Sequence, residues 1–248
     1  MMRVMRIDCH THMGKGMILE FWWAIEIPPE LVIQLEEKAG VDKAVIFPVH
    51  YPPELYDLAN KEVFEAVRKY PDKLIPFAKV AASHPKATEY LRSAIEELGV
   101  KGLKLHSSEG YPTRGIMDLL QEHDLPLLIH TDERKGPLEL VPLLKAYPDV
   151  KVIIAHLGSP SNYYHQLQAM YLAERFDNVY LDTSVGSDIH ENLRLAVKRA
   201  GVDRILFGSD APVYHPAAER RKIELLELNK KDEAKIFGEN LKRVLKLA

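Results

Sequence analysis

Histidines, and one aspartate, stand directly after apolar runs at widely separated places in this 248-residue chain. The runs are rich in Val, Ile and Leu, and a buried strand has no packing reason to end on an imidazole. Imidazole nitrogens and carboxylate oxygens are ligands of Zn²⁺, Mn²⁺ and Fe²⁺. The pattern therefore indicates a metal site built from strand ends, with the candidates His10, His12, His50, His106, His130, His156 and Asp210. His50 carries the least weight among them.

The segment Ile-Asp-Cys-His-Thr-His near the amino terminus is the most specific of these motifs. Residues two apart in a strand point to one face, so Asp8, His10 and His12 should share a face if the strand extends that far. In a barrel that face is the interior, where the two imidazoles would form one edge of a metal site. Cys9 should then face the helix layer as a small buried hydrophobic residue.

Short apolar runs alternate with longer amphipathic stretches along the whole chain. The runs predict eight strands, over residues 4–10, 44–49, 74–80, 102–106, 125–130, 150–156, 179–182 and 205–207. The amphipathic stretches predict helices over 29–39, 54–69, 86–98, 137–146, 161–175, 189–200, 217–228 and 232–247. This α/β alternation predicts a (β/α)₈ TIM barrel that forms a single domain over residues 1–248. An open doubly wound sheet competes, but no glycine-rich fingerprint follows the first strand.

A barrel would bring the candidate ligands together, because active sites of this fold gather at the carboxyl ends of the strands. His130, His156 and Asp210 end the fifth, sixth and eighth predicted strands. They should therefore lie near His10 and His12 despite their separation in sequence.

Four motifs resemble the amidohydrolase superfamily, specifically the amidohydrolase-2 branch that includes aminocarboxymuconate-semialdehyde decarboxylase and related metal-dependent hydrolases. They are Asp-Cys-His-Thr-His, Ile-His-Thr, Ala-His-Leu-Gly and Phe-Gly-Ser-Asp-Ala-Pro, and the resemblance covers essentially the whole chain. It implies one divalent ion, Zn²⁺ before Mn²⁺ or Fe²⁺, held by His10, His12, His130 and Asp210. His156 would stand beside this ion or, in a two-metal arrangement, bind a second one.

The resemblance also implies the chemistry. A bound metal lowers the pKa of its water towards about 7, Asp210 can accept and return the proton, and His156 can hydrogen-bond a developing oxyanion. Asp210 and His156 are therefore the predicted catalytic residues of a metal-dependent hydrolase acting on a small amide, lactone or ester. Non-oxidative decarboxylation of an aromatic or muconate-like acid is the alternative. A TatD-like phosphoesterase ranks lower, because those enzymes prefer glutamate where Lys104 stands.

Lys104 has three possible roles. It could bind a substrate carboxylate, or it could be carboxylated and bridge two ions together with His156. It could also form an ion pair inside the barrel, with Asp8 as the candidate partner. His106, on the same strand face, is either a substrate contact or a rim residue.

Other substrate-binding candidates lie at the ends of the first, sixth and seventh predicted strands. Asp182 and Ser184 could touch the substrate, and Asp182 could instead orient a neighbouring histidine. Trp22 and Trp23 could wall the pocket or form a dimer contact, and Tyr163 and Tyr164 have the same ambiguity.

The composition limits the classes of partner that this protein is expected to bind. The net charge of −3 provides no basic footprint for nucleic acid, and no apolar run has the length of a membrane span. The amino terminus leaves no room for a signal peptide before the first motif, and the lone Cys9 cannot form an internal disulfide. We therefore expect a cytoplasmic enzyme with a small-molecule substrate and without nucleic-acid or membrane partners. The oligomeric state stays open, with a homodimer as the candidate.

Overall fold

The structure, a computed structural model, describes residues 5–17, 24–131, 135–185 and 190–247. Its strands are β1 Ile7–Met17, β2 Ala24–Ile27, β3 Lys43–Pro48, β4 Leu74–Pro76, β5 Ala78–Lys79, β6 Leu103–His106, β7 Leu127–His130, β8 Val152–Ile154, β9 Val179–Asp182 and β10 Ile205–Leu206. Its α-helices are α1 Pro29–Ala39, α2 Tyr56–Lys69, α3 Ala87–Leu98, α4 Arg114–Glu122, α5 Val141–Ala146, α6 Tyr163–Arg175, α7 His190–Ala200, α8 Pro216–Glu224, α9 Lys230–Ala234 and α10 Asn240–Leu245.

The apolar runs pair side by side in chain order and form a parallel barrel. β1 pairs with β3 and β3 with β4, while β5 to β10 form a second continuous parallel series. Phe77 separates β4 from β5 and donates its N–H to the Ile46 carbonyl at 3.0 Å, which continues the wall. The Cys9 N–H donates to the Phe207 carbonyl at 2.9 Å and joins the first strand to the last. The TIM-barrel prediction is confirmed.

Two elements of the described chain were not predicted. β1 extends to Met17 and forms an antiparallel hairpin with β2. α4 fills the gap between the fourth and fifth predicted strands, beginning where the Thr113 hydroxyl accepts the Ile116 N–H at 3.4 Å. The helix is short and has Gly115 in its first turn, which lowers helix propensity, but Ile116, Met117, Leu119 and Leu120 form a clear apolar face.

A bulge in β1 reverses the predicted orientation of two side chains. Asp8 pairs with Ala44 and Thr11 with Ile46, so β1 has one extra residue between them. Cys9 therefore packs in the barrel-interior cluster with Phe47, and the prediction that it faces the helices is wrong. Asp8 lies instead beside Glu36 of helix α1, so it does not share the interior face with His10 and His12.

Asp8 and Glu36 form a buried carboxyl pair between the barrel and α1. Burial raises the pKa of Asp8 to about 7, although hydrogen bonds from Ser209 and His10 lower it. Burial and the Asp8 charge raise the pKa of Glu36 well above its usual value. In the folded protein the pair holds protons that the unfolded chain releases at lower pH. Its contribution to stability is therefore complete below about pH 4 and is lost as the pH rises towards about 7.

We expect Glu36→Gln to raise the melting temperature by about 3 °C at pH 8, because it removes a buried carboxyl group whose ionisation is opposed by burial and by the Asp8 charge. At pH 5, where the native pair is largely protonated, the change should stay within about 1 °C. Calorimetry at both pH values measures the difference, and Glu37→Gln on the exposed side of α1 is the matched control. An equal shift at both pH values would contradict the assignment.

No helix among the described residues combines the length and the apolar composition that a bilayer span requires.

Candidate metal and substrate site

Six imidazole rings form a continuous arc at the carboxyl ends of the barrel strands. In order, they are His50, His106, His130, His156, His10 and His12, and successive ring centroids are 4.9, 4.1, 4.6, 4.8 and 5.3 Å apart. Together with Lys104 and Asp210 they line one small cavity at this end of the barrel. The barrel thus brings together all the strand-end residues that the sequence singled out, including His50.

His10, His12 and Asp210 present three ligand atoms to one point at one end of the arc. Asp210 Oδ1 lies 2.8 Å from His12 Nε2 and 3.3 Å from His10 Nε2, and all three atoms lie within 4.8 Å of one another. Ligands about 2.1 Å from a tetrahedral ion are about 3.4 Å apart. The three side chains therefore fit a divalent metal ion with little rearrangement.

Asp182 orients the His10 ring towards this point. Its Oδ2 accepts a hydrogen bond from His10 Nδ1 at 2.8 Å, so the lone pair of His10 lies on Nε2, which faces the cavity. Asp182 Oδ1 accepts the backbone N–H groups of His156 and Ser184 at 3.0 and 2.9 Å. Of the two roles predicted for Asp182, the structure shows the contact that orients a histidine. Ser184 is buried and its hydroxyl lies 2.9 Å from His156 Nδ1.

His130 and His156 are paired with each other. His156 Nε2 lies 2.9 Å from His130 Nδ1, and the His130 ring stacks on His106. Among the described residues, His130 belongs to neither cluster of three close ligand atoms, which are His10–His12–Asp210 and His10–His156–Asp182. Its place as the fourth metal ligand stays a prediction.

Strained backbone positions aim two of these side chains at the cavity. His156 and Asp210 have φ values of 56° and 64°, and Leu157 has 53°. A left-handed conformation costs a non-glycine residue about 1–3 kcal/mol and persists where surrounding contacts enforce it. At Asp210 those contacts are visible, because its N–H donates to the His10 carbonyl and the Ala211 carbonyl accepts the His12 N–H, both at 2.8 Å.

Lys104 is buried in the barrel beside the ligand cluster, with 1% of its surface exposed. Its ammonium donates to His10 Nε2 at 3.2 Å, so a cation is already accommodated next to that lone pair. Burial lowers the pKa of Lys104 to about 8, while the carboxylates of Asp182 and Asp210 act in the opposite direction. These carboxylates, and not Asp8, are the negative charges that act on Lys104, so the suggested Asp8 ion pair is wrong.

The sequence model of the family described as Amidohydrolase matches residues 7–247. The chain belongs to the amidohydrolase family. It is therefore an enzyme, as the sequence predicted. Comparison with curated proteins found none that matches this chain.

Solved structures of similar fold match this amidohydrolase over nearly its whole length. A 2,6-dihydroxybenzoate decarboxylase in complex with 2,6-dihydroxybenzoate is 18% identical, with 99% of this chain and 100% of the other covered and a TM-score of 0.76. A dihydroxybenzoic acid decarboxylase from Polaromonas sp., with bound manganese and 2-nitroresorcinol, is 19% identical, with coverages of 99% and 98% and a TM-score of 0.74. A 4-oxalomesaconate hydratase from Rhodopseudomonas palustris is 20% identical, with coverages of 98% and 96% and a TM-score of 0.73. At these identities the likeness establishes the fold.

Two charged residues that were not predicted from the sequence lie behind the residues that line the cavity. Lys79 of β5 is fully buried and lies in register with Lys104 on the neighbouring strand. Its signal was available, because Phe77 and Lys79 are two apart in a strand and share the interior face. Glu109 lies 3.1 Å from His50 Nδ1 through Oε2. It follows β6 in a one-turn 3₁₀ segment, whose direction strand periodicity does not predict.

Some predicted residues do not contribute to the described cavity. Trp22 and Trp23 lie outside the described residues. Tyr163 and Tyr164 are exposed on α6, at 45% and 74% of their surface, and are not among the side chains that line the cavity.

Proposed function

We propose that this amidohydrolase is a metal-dependent decarboxylase that releases CO₂ from a small aromatic or muconate-like carboxylic acid. The observation that carries the proposal is the buried Lys104 ammonium beside the cluster of potential metal ligands, with Lys79 in register behind it. Lys79 faces Glu109, whereas the Lys104 ammonium lines the cavity. A buried cation at that place favours an anionic ligand, because burial strengthens the interaction of unlike charges. An amide, lactone or ester offers no matching negative charge, so the decarboxylase alternative is preferred to hydrolysis.

His10, His12 and Asp210 would hold the divalent ion, with His130 as a fourth ligand. Such an ion would act as a Lewis acid that withdraws negative charge from the substrate oxygens. Mn²⁺ is the first ion to test, because a dihydroxybenzoic acid decarboxylase of similar fold contains manganese. Zinc as the native ion, a single ion per chain and a cytoplasmic location stay predictions.

In the proposed reaction Lys104 binds the substrate carboxylate and Asp210 supplies the proton. Burial raises the pKa of Asp210 to about 6, with the carboxylate of Asp182 acting in the same direction and His156 and Lys104 in the opposite one. In the metal-free site the carboxyl group therefore keeps its proton to a higher pH than an exposed aspartate does. It passes this proton to the carbon that bears the carboxylate. The carbon–carboxylate bond then breaks, CO₂ leaves, its bonding electrons stay on the substrate, and Asp210 is left ionised.

A paired assay tests this function. The protein is stripped with a chelator, reloaded with Mn²⁺ or Zn²⁺, and assayed for CO₂ release from hydroxybenzoates and muconate-like acids. A parallel panel contains amides, lactones and esters. We expect CO₂ release from at least one acid that is lost on chelation and restored by metal, with deuterium from D₂O on the carbon that lost CO₂. Metal-dependent hydrolysis without CO₂ release from any acid would overturn the proposal.

A further inference from the structure

A second network of polar side chains surrounds His50, the first ring of the imidazole arc. His50 Nδ1 lies 3.1 Å from Glu109 Oε2, and Glu109 Oε1 accepts the Tyr56 hydroxyl at 2.5 Å. Lys79 Nζ lies 3.8 Å from Glu109 Oε2. The proposed decarboxylation uses neither His50 nor Glu109, yet His50 lines the same cavity as His10, His12 and Asp210.

The position of the protons in this network follows from its donors and acceptors. Burial alone would raise the pKa of Glu109, but Lys79, His50 and Tyr56 outweigh it and lower that pKa, so Glu109 is an ionised acceptor. With this anion 3.1 Å from Nδ1, the tautomer that carries its proton on His50 Nδ1 is favoured. Burial and the Lys79 charge lower the pKa of His50 to about 4, which leaves its ring neutral at pH 7. Its Nε2 then carries a lone pair.

The neighbouring His106 presents the opposite pattern. Its Nδ1 accepts the Ser108 N–H at 3.2 Å and lies 2.6 Å from the Ser108 hydroxyl. Because Nδ1 accepts this N–H, the proton of the neutral ring lies on Nε2. Adjacent rings of the arc thus present an acceptor at His50 and a donor at His106. A donor–acceptor pair of this kind matches a hydroxyl group, which can donate one hydrogen bond and accept another.

We propose that His50 Nε2 accepts a hydrogen bond from a hydroxyl group of the substrate, and that Glu109 is the positioning residue that keeps the lone pair on Nε2. The inference rests on the proposed function, because it places the carboxylate of the same molecule at Lys104. The substrate class is then a hydroxylated carboxylic acid. The contact also assists the reaction, since partial removal of the hydroxyl proton increases the electron density at the ring carbon that accepts a proton from Asp210.

Matched ligands test the contact without turnover. Titration calorimetry on the Mn²⁺-loaded protein compares the four dihydroxybenzoates that have a hydroxyl beside the carboxylate with analogues in which the second hydroxyl is methylated. The methyl ether keeps an oxygen acceptor but has no proton to donate. We expect at least one dihydroxybenzoate to bind about tenfold or more tightly than its ether, as the loss of a hydrogen bond to a buried acceptor implies.

Two variants test whether the preference for the hydroxyl over the methyl ether depends on His50 and Glu109. His50→Phe should reduce the hydroxyl-to-ether affinity ratio to below about threefold. Glu109→Gln should do the same with His50 still present, because a glutamine amide can donate to Nδ1 and allow the proton to move to Nε2. His84→Phe, a histidine that stacks on Tyr90 outside the cavity, is the matched control and should keep the full ratio. Nitrogen-15 NMR of the imidazoles should show Nδ1–H at His50 in the wild type and its loss in Glu109→Gln.

The outcomes separate this inference from the proposed function. No preference for the hydroxyl in the wild type, no binding of any dihydroxybenzoate, or a preference retained in His50→Phe would overturn the inference. CO₂ release without a hydroxyl preference would leave the function standing and remove the inference. A hydroxyl preference that depends on His50, without CO₂ release from any acid, would support the contact at His50 and contradict the decarboxylase function.

Discussion

Asp210→Asn should lower kcat/KM for CO₂ release by about 10³-fold, within the range of 10²–10⁴ that a positioned acid or base contributes. The asparagine amide has nearly the same shape as the carboxyl group but cannot hold the transferable proton. Its oxygen can still face His12 Nε2, which lies 2.8 Å from Asp210 Oδ1 in the structure. The decrease in kcat/KM of the variant should therefore be larger than the decrease in its metal content.

Steady-state kinetics at saturating Mn²⁺, combined with measurement of the metal content, separates these two effects. Asp72→Asn, on the exposed turn before β4, is the matched control and should match the wild type in both measurements. An Asp210→Asn enzyme with full activity towards every acid of the panel would exclude Asp210 as the proton donor.

The second large effect is expected at Lys104. Lys104→Met should raise KM for the carboxylate substrate by about 10²–10³-fold, because the carboxylate would face the cavity without its buried counter-charge. Methionine keeps the apolar length of the lysine stem, which packs under the Phe47 ring with the ammonium 5.2 Å from the ring centroid. Lys101→Met, an exposed lysine just before β6, should leave KM unchanged.

The number of metal ions per chain decides between the two remaining roles of Lys104. If Lys104 binds substrate, wild type and Lys104→Met should each hold one ion, and only KM should change. If Lys104 is carboxylated and bridges two ions, the wild type should hold two and the variant should lose one. A firm value of one ion in the wild type, measured by elemental analysis of the reloaded protein, would exclude the bridge.

The spacing of apolar residues along the chain was sufficient to predict the barrel and the residues at its rim. Apolar runs that end on His130, His156 and Asp210 mark both the strands and the edge at which they meet, because parallel strands place their carboxyl ends together. Helix α4 was missed although its apolar residues lie on one face, whereas the hairpin of β1 with β2 was missed because a strand extension beyond the first histidine motif leaves little periodic signal.

The preference for decarboxylation that we propose was not predictable from the motifs. The ligand set is the same for hydrolysis and for decarboxylation, so the sequence supported hydrolysis first. The difference lies in the charge that surrounds the ligands. Lys104 was recognised as ambiguous, but its contact with His10 and its register with Lys79 depend on strand pairing across the barrel.

The amino-acid sequence by itself determined the fold class, the family and the residues at the rim, because each depends on spacing within one strand or one motif. The tertiary structure decided what each rim residue touches. The bulge in β1 turned Cys9 inwards and Asp8 towards Glu36, which strict alternation could not anticipate. Distant segments joined Asp182 to His10, and a one-turn 3₁₀ segment after β6 joined Glu109 to His50. These contacts link residues dozens of positions apart, and they form only when the barrel closes and excludes water from the groups that must then pair.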